Sequence, residues 1–120
     1  MAQAPNASRA PITTHILDTE QGKPAGHVLV SLSVFEENQW KLVSTGRTND
    51  DGRVEQWDTS FTAAIGLYQL RFETSDYFDR RGVKSFYPEV VISFHVATTQ
   101  EHFHVPLLLS AHGYSTYRGS

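Results

Sequence analysis

The chain has 120 residues, thirteen acidic against ten basic side chains for a formal charge of −3, and no cysteine. That length suits one domain, burying roughly two-thirds of its unfolded surface without staples. The missing thiols exclude disulfides, thiolate metal sites and cysteine nucleophiles. The near-even charge, with no lysine or arginine run, excludes a nucleic-acid footprint, and no apolar run reaches the ~18 residues of a membrane span.

Residues 1–10, "MAQAPNASRA", are polar and lack the apolar stretch of a signal peptide. They read as a disordered lead-in to one domain over 11–120. "AQA" also matches the small-residue pattern of a cleaved signal carrying an added Met1, and Asn6 opens a formal glycosylation sequon. "PITTHILD" is a candidate strand with His15 among Ile12, Ile16 and Leu17. "HVLVSLSVF" alternates with period two: Val28, Val30, Leu32 and Val34 share one face. "QWKLVSTGRT" follows as another strand, and "NDDG" between it and "RVEQW" reads as a hairpin connection. In "GLYQLRFET", Tyr68, Leu70 and Phe72 point inward. "SDYFDRRGV", with a Ser/Asp cap candidate and a closing glycine, is expected to form one short helix. "EVVISFHVA" places Val90, Ile92, Phe94 and Val96 on one face and His95 on the other. In "HFHVPLLLS", Pro106 removes a ladder donor, which predicts an edge strand or a bulge. Short alternating segments between regular turns indicate an all-β antiparallel sandwich. The closing "HGYSTYRGS" carries two tyrosines and an arginine where filler is usual.

Without cysteine, chemistry falls to histidine, carboxylate, serine and arginine. Six histidines are many for this length, and histidine titrates near neutrality. His27, His95 and His112 read as solvated. His102 and His104, two apart on a strand, project from one face and form half of a zinc site that His15 would complete. His15 itself has two readings, a satisfied core histidine or a desolvated base with a displaced pKa. Arg80 and Arg81 look like a solvated helix face. Arg47 and Arg53 flank the "TNDDG" turn, and spacing alone does not choose between them.

Together, "ITTHILDTEQGKPA", "TNDDGR" and "HFHVPLLLSAHGYSTYRGS" resemble the 5-hydroxyisourate hydrolases, the transthyretin-related enzymes of urate breakdown. The likeness covers nearly all of the chain after residue 10, and the terminal "YRGS" is its most specific part. It implies a transthyretin-like sandwich of about eight strands with one short helix. It also implies a homotetramer, a dimer of dimers with catalytic sites in the channel between dimers. By resemblance the catalytic residues are His15 of "TTH", Arg53 of "DGR" and His104 before "VPLLLS". Tyr117, Arg118, Gly119 and Ser120 are implied to bind substrate. His102 falls where the family varies, which weakens the zinc reading; no metal and no cofactor are expected.

The implied reaction is hydrolysis of 5-hydroxyisourate to 2-oxo-4-hydroxy-4-carboxy-5-ureidoimidazoline. One histidine would take a proton from water and the other polarise the carbonyl or protonate the leaving nitrogen, without the residues saying which does which. Arg53 would face the developing oxyanion or a substrate oxygen. The competing reading is a transthyretin-like carrier of a small apolar ligand in the same channel. The carriers, however, place a lysine where this chain has His15 and lack the "YRGS" end. The C-terminus carries no "SKL"-type address, so the cytoplasm is the default compartment, with peroxisome and periplasm left open.

Overall fold

The computed structural model describes residues 10–120, which form nine strands and one helix. Residues 1–9 of the lead-in, with the Asn6 sequon, lie outside the described residues. In chain order come β1 (Ile12–Asp18), β2 (Lys23–Pro24), β3 (Leu29–Glu36), β4 (Gln39–Arg47) and β5 (Arg53–Val54). Then follow β6 (Gly66–Phe72), α1 (Thr74–Arg80), β7 (Val90–Val96), β8 (Phe103–Ser110) and β9 (Gly113–Thr116). They make a sandwich of two sheets. One runs β4-β3-β6-β7; the other runs β2-β1-β8-β9, with β5 also paired to β1.

The period-two segments bury the faces their alternation predicts. Val30 and Leu32 of β3, Leu70 and Phe72 of β6, and Val90 of β7 meet Ile12 and Ile16 of β1 and Leu107 of β8, all fully buried. At about 25 cal/mol per Å2 of apolar surface, such rows supply most of the driving force for the sandwich. Trp57 closes one side, its indole Nε1 donating to the Ile12 carbonyl at 2.8 Å.

The first sheet is antiparallel throughout. In the second, β1 and β8 run parallel. No turn joins these two strands, which are far apart in the chain, so no turn dictates their relative direction. The expected "NDDG" hairpin is corrected in the same way. The turn reverses the chain, with the Asn49 N–H bonded to the Arg53 carbonyl at 3.0 Å. However, β4 pairs with β3 and β5 crosses to the other sheet to pair with β1.

Pro106 does not mark an edge: β8 is central, between β1 and β9. The missing donor is accommodated where the β8–β9 ladder lapses. Regular pairing ends at Leu107↔Thr116 and resumes only at an isolated His104↔Gly119 bridge. The Thr116 hydroxyl instead donates to the Pro106 carbonyl at 2.7 Å.

The helix forms where expected and ends before Gly82, but its N-cap is Glu73, without a side-chain cap bond. Ser75 and Asp76 lie inside the first turn instead. Arg81 is exposed, as expected, but its guanidinium also reaches inward. Its Nη1 donates at 3.0 Å to Asp18 Oδ2, a carboxylate at 0% exposure. The Tyr77 hydroxyl donates to the same oxygen at 2.7 Å, and the backbone N–H groups of Glu20 and Gln21 donate to Oδ1. A buried carboxylate needs such a full set of donors, and this one ties α1 to the end of β1.

Candidate active site

Alternation along β1 sorts its side chains. Ile12, Thr14 and Ile16 are fully buried in the core, so Thr13, His15 and Leu17 project from the outer face of the mixed sheet. His15 is therefore a partly buried face residue and not a core histidine.

The turn before β5 delivers Arg53 to that face. Asn49 Oδ1 accepts the N–H groups of Asp51 and Arg53 at 2.9 and 3.0 Å, and the Gly52 carbonyl accepts the Ile16 N–H at 2.8 Å. Gly52 has φ +75°, and a Cβ there would lie 2.5 Å from the Ile16 carbonyl oxygen. Only glycine meets both conditions. Docked this way, β5 sets Arg53 directly opposite His15. Arg47 ends β4 in the other sheet, its Nη1 donating to the His27 carbonyl at 3.2 Å. Register thus separates the two arginines that spacing could not.

On the other side of β1, Thr13 is level with His104 and His15 with Pro106. Directly paired residues share a sheet face, with Cβ atoms ~4.5–5.5 Å apart in antiparallel pairs. Arg53, His15 and His104 therefore stand on one surface spanning three strands. The His15 imidazole is held below its ordinary pKa, first by burial and then by the Arg53 guanidinium, against the opposing pull of Asp51 and Glu55. It is therefore predominantly neutral at neutral pH.

The tail returns to this set. After Thr116 the chain continues to Gly119, whose N–H donates to the His104 carbonyl at 2.9 Å. A Cβ on Gly119 would lie 2.7 Å from His104 Cδ2 and 3.2 Å from Pro106 Cγ. Arg118 turns elsewhere: its Nη2 donates to Glu101 Oε1 at 2.7 Å and its guanidinium lies 4.5 Å from the Phe103 ring centre. Tyr117 is 58% exposed. Together with Phe94, His95 and His104, Tyr117 and Arg118 line a cleft of about 280 Å3. Ser120, also exposed, follows Gly119. His15, Arg53, His104 and Gly119 are thus brought together, while Tyr117 and Arg118 line the neighbouring cleft.

Sequence reasoning passes over Thr13. Its Oγ1 lies 2.8 Å from both His102 Nε2 and His104 Nδ1. The available signal was its place two residues before His15, on the same strand face. The histidine pair suspected of metal binding thus converges on a hydroxyl. Among the described residues, no three His, Asp or Glu side chains are grouped to hold a metal ion.

Two sheets of this topology, with a histidine–arginine set on the outer face of the mixed one, define a transthyretin-like sandwich. The chain belongs to the HIUase/transthyretin family, whose profile matches residues 12–119. It is 46% identical over 109 residues to the 5-hydroxyisourate hydrolase of Salmonella dublin, covering 91% of this chain and 80% of that one. The structure of Klebsiella pneumoniae 5-hydroxyisourate hydrolase superposes with a TM-score of 0.78 at 38% identity, over 91% of this chain and 98% of that one. Sea bream transthyretin in complex with thyroxine superposes at 0.84 with 28% identity, over 92% and 95%.

Proposed function

We propose that the protein hydrolyses 5-hydroxyisourate to 2-oxo-4-hydroxy-4-carboxy-5-ureidoimidazoline in urate degradation. The observation that carries this reading is the register that sets Arg53, His15 and His104 on one sheet face. Overall shape does not separate hydrolase from carrier, since the chain superposes well on both. The ionisable set favours the hydrolase, because an apolar ligand gives it nothing to do.

A neutral His15 takes a proton from water as the water oxygen bonds to the ring carbonyl carbon, a contribution of about 10²–10⁴ in rate. Arg53, always charged, faces the oxyanion that forms; one such donor is worth about 3–4 kcal/mol. His104 gives a proton to the ring nitrogen as the C–N bond breaks. The six-membered ring opens to a freed ureido nitrogen and a carboxylic acid that loses its proton to give the carboxylate. The His15 proton returns to solvent, and His104 is reprotonated, ultimately from solvent. Gly119 lets the tail approach His104 closely, with Tyr117, Arg118 and Ser120 bounding the substrate. No cofactor enters these steps.

The working form is a homotetramer, a dimer of dimers. The site lies on the outside of a sheet, and packing two such sheets face to face would exclude water from it, which strengthens each polar contact there. Strands β7 and β9 end their sheets as edges in the described residues, and such edges are templates for pairing with another chain. The test is ultraviolet decay of freshly generated 5-hydroxyisourate with and without protein, run beside light scattering for mass. Decay at the spontaneous rate would reject the reading.

A further inference from the structure

Thr13 is 4% exposed, and its hydroxyl is shared between two imidazoles, with His102 Nε2 and His104 Nδ1 each 2.8 Å away. A hydroxyl has one proton and two lone pairs. It donates to at most one ring nitrogen at a time, so at least one of the two nitrogens must carry a proton of its own and donate to the oxygen. The two facing nitrogens therefore cannot both be bare while both bonds stand. When Thr13 donates to His104, the neutral His104 ring carries its proton on Nε2, the nitrogen remote from Thr13. When His104 donates, Nε2 is bare. The state of His102 decides which of these holds.

From this bridge we infer that Thr13 is a positioning residue that fixes the tautomer of His104 and couples its proton to that of His102. The inference rests on the hydrolase reading above only for its consequence in turnover. In the donating arrangement, His102 Nε2–H bonds to Thr13 Oγ1, and Thr13 Oγ1–H bonds to His104 Nδ1. His104 then presents Nε2–H to the leaving nitrogen. As that proton departs, His104 Nδ1 takes the Thr13 proton and Thr13 takes the His102 Nε2 proton. His102, partly exposed, takes a replacement from solvent at Nδ1. No proton is gained or lost along the chain of three groups. The titratable and charged groups around it are His15 on β1, Arg53 on β5, His95 on β7, Glu101 before β8, and Arg118 on the tail, whose Nη2 is 3.5 Å from the His102 carbonyl.

Thr13→Val keeps the shape and removes the hydroxyl; Thr13→Ser keeps the hydroxyl. The expected result is a kcat lowered about 10-fold to 100-fold in Thr13→Val, the range typical of groups that orient a working histidine. KM should stay nearly unchanged, and Thr13→Ser should restore kcat. Long-range nitrogen–proton NMR of the imidazoles reads the bridge without any substrate. His104 should show one dominant tautomer in the native protein and in Thr13→Ser, and a mixture in Thr13→Val. His102→Phe, which leaves the buried Thr13 in place, should shift the His104 titration in the native background and not in Thr13→Val. That last comparison stands even if the protein does not hydrolyse 5-hydroxyisourate, so the two readings fail separately. An unchanged His104 tautomer and titration in both Thr13→Val and His102→Phe overturns the inference. So does native kcat in Thr13→Val.

Discussion

Gly119 packs its backbone against the imidazole of His104, so closely that a methyl group on it would stand 2.7 Å from Cδ2. The tail is thus fitted to a candidate catalytic ring and not merely parked beside a strand. Gly119→Ala should force either the ring or the tail to move by several tenths of an ångström. Misplacement of a reacting group by about 1 Å costs roughly 10²-fold, so kcat/KM should fall on that scale while thermal unfolding stays cooperative. Native turnover in Gly119→Ala would show that His104 tolerates displacement.

The two arginines beside the "NDDG" turn give a paired test. Arg53→Ala should lower kcat by about 10²–10³, the effect of losing one oxyanion donor. Arg47 is tied to the His27 carbonyl in the other sheet, and Arg47→Ala should leave kcat nearly unchanged. Equal losses in two folded variants would remove Arg53 from the mechanism.

That pair also shows how far the sequence is legible. Alternation in "HVLVSLSVF" and "GLYQLRFET" identifies the buried faces, because the side-chain period of a strand is a local property. Spacing does not say that β5 leaves β4 for β1. That choice depends on Gly52 fitting under the Ile16 carbonyl, a contact between segments far apart in the chain. The central position of β8 is hidden for a related reason. Pro106 signals a lost donor, and only the assembled sheet shows that β9 has already lapsed there. Arg81 reads as a surface residue until α1 brings it to Asp18. Thr13 carries no charge and is only the first letter of the "TTH" that marks His15, so its shared hydroxyl emerges only from the β1–β8 register.

His15 supplies a prediction in pH. Burial and then Arg53 hold its pKa below 6.5. The acid limb of kcat/KM should therefore lie below pH 6.5, where His15 finally takes a proton. NMR titration should find the His15 pKa raised in Arg53→Gln, since the second of its two lowering causes is gone. For stability the sign follows from proton counting. As pH falls through 6.5 the unfolded chain binds a proton that folded His15 resists, so stability declines until the folded pKa is reached and is level below it. A His15 titration at or above 6.5 in the native protein would contradict the argument.

The buried Asp18 cluster concerns stability alone. Burial, and then the bond to Asp18, push the Tyr77 hydroxyl up to about 12. Tyr77→Phe removes one donor from a fully buried carboxylate, and leaving such a group short of a partner costs about 1–3 kcal/mol. The native protein should also lose stability between pH 10 and about 12, where the unfolded tyrosine ionises and the folded one does not. Denaturant midpoints across that range, for the native protein and Tyr77→Phe, check both statements. The pH-dependent loss should be smaller in the variant.

Removing residues 117–120 separates a tail that walls a site from one that caps a strand. The truncation breaks an exposed ion pair, Arg118 with Glu101, takes the guanidinium from over Phe103 and deletes the Gly119 bond to His104. Exposed ion pairs contribute about 0–1 kcal/mol, and a solvent-exposed cation over a ring about 0.5–1 kcal/mol. The truncated sandwich should therefore melt cooperatively, a few degrees lower. Its turnover should fall by orders of magnitude, because His104 would lose the backbone packed against its ring and the substrate one boundary. Calorimetry and the ultraviolet assay on the same sample, with mass measured by light scattering, keep the two effects apart. A truncated protein with native mass and native kcat would leave the tail a strand cap and nothing more.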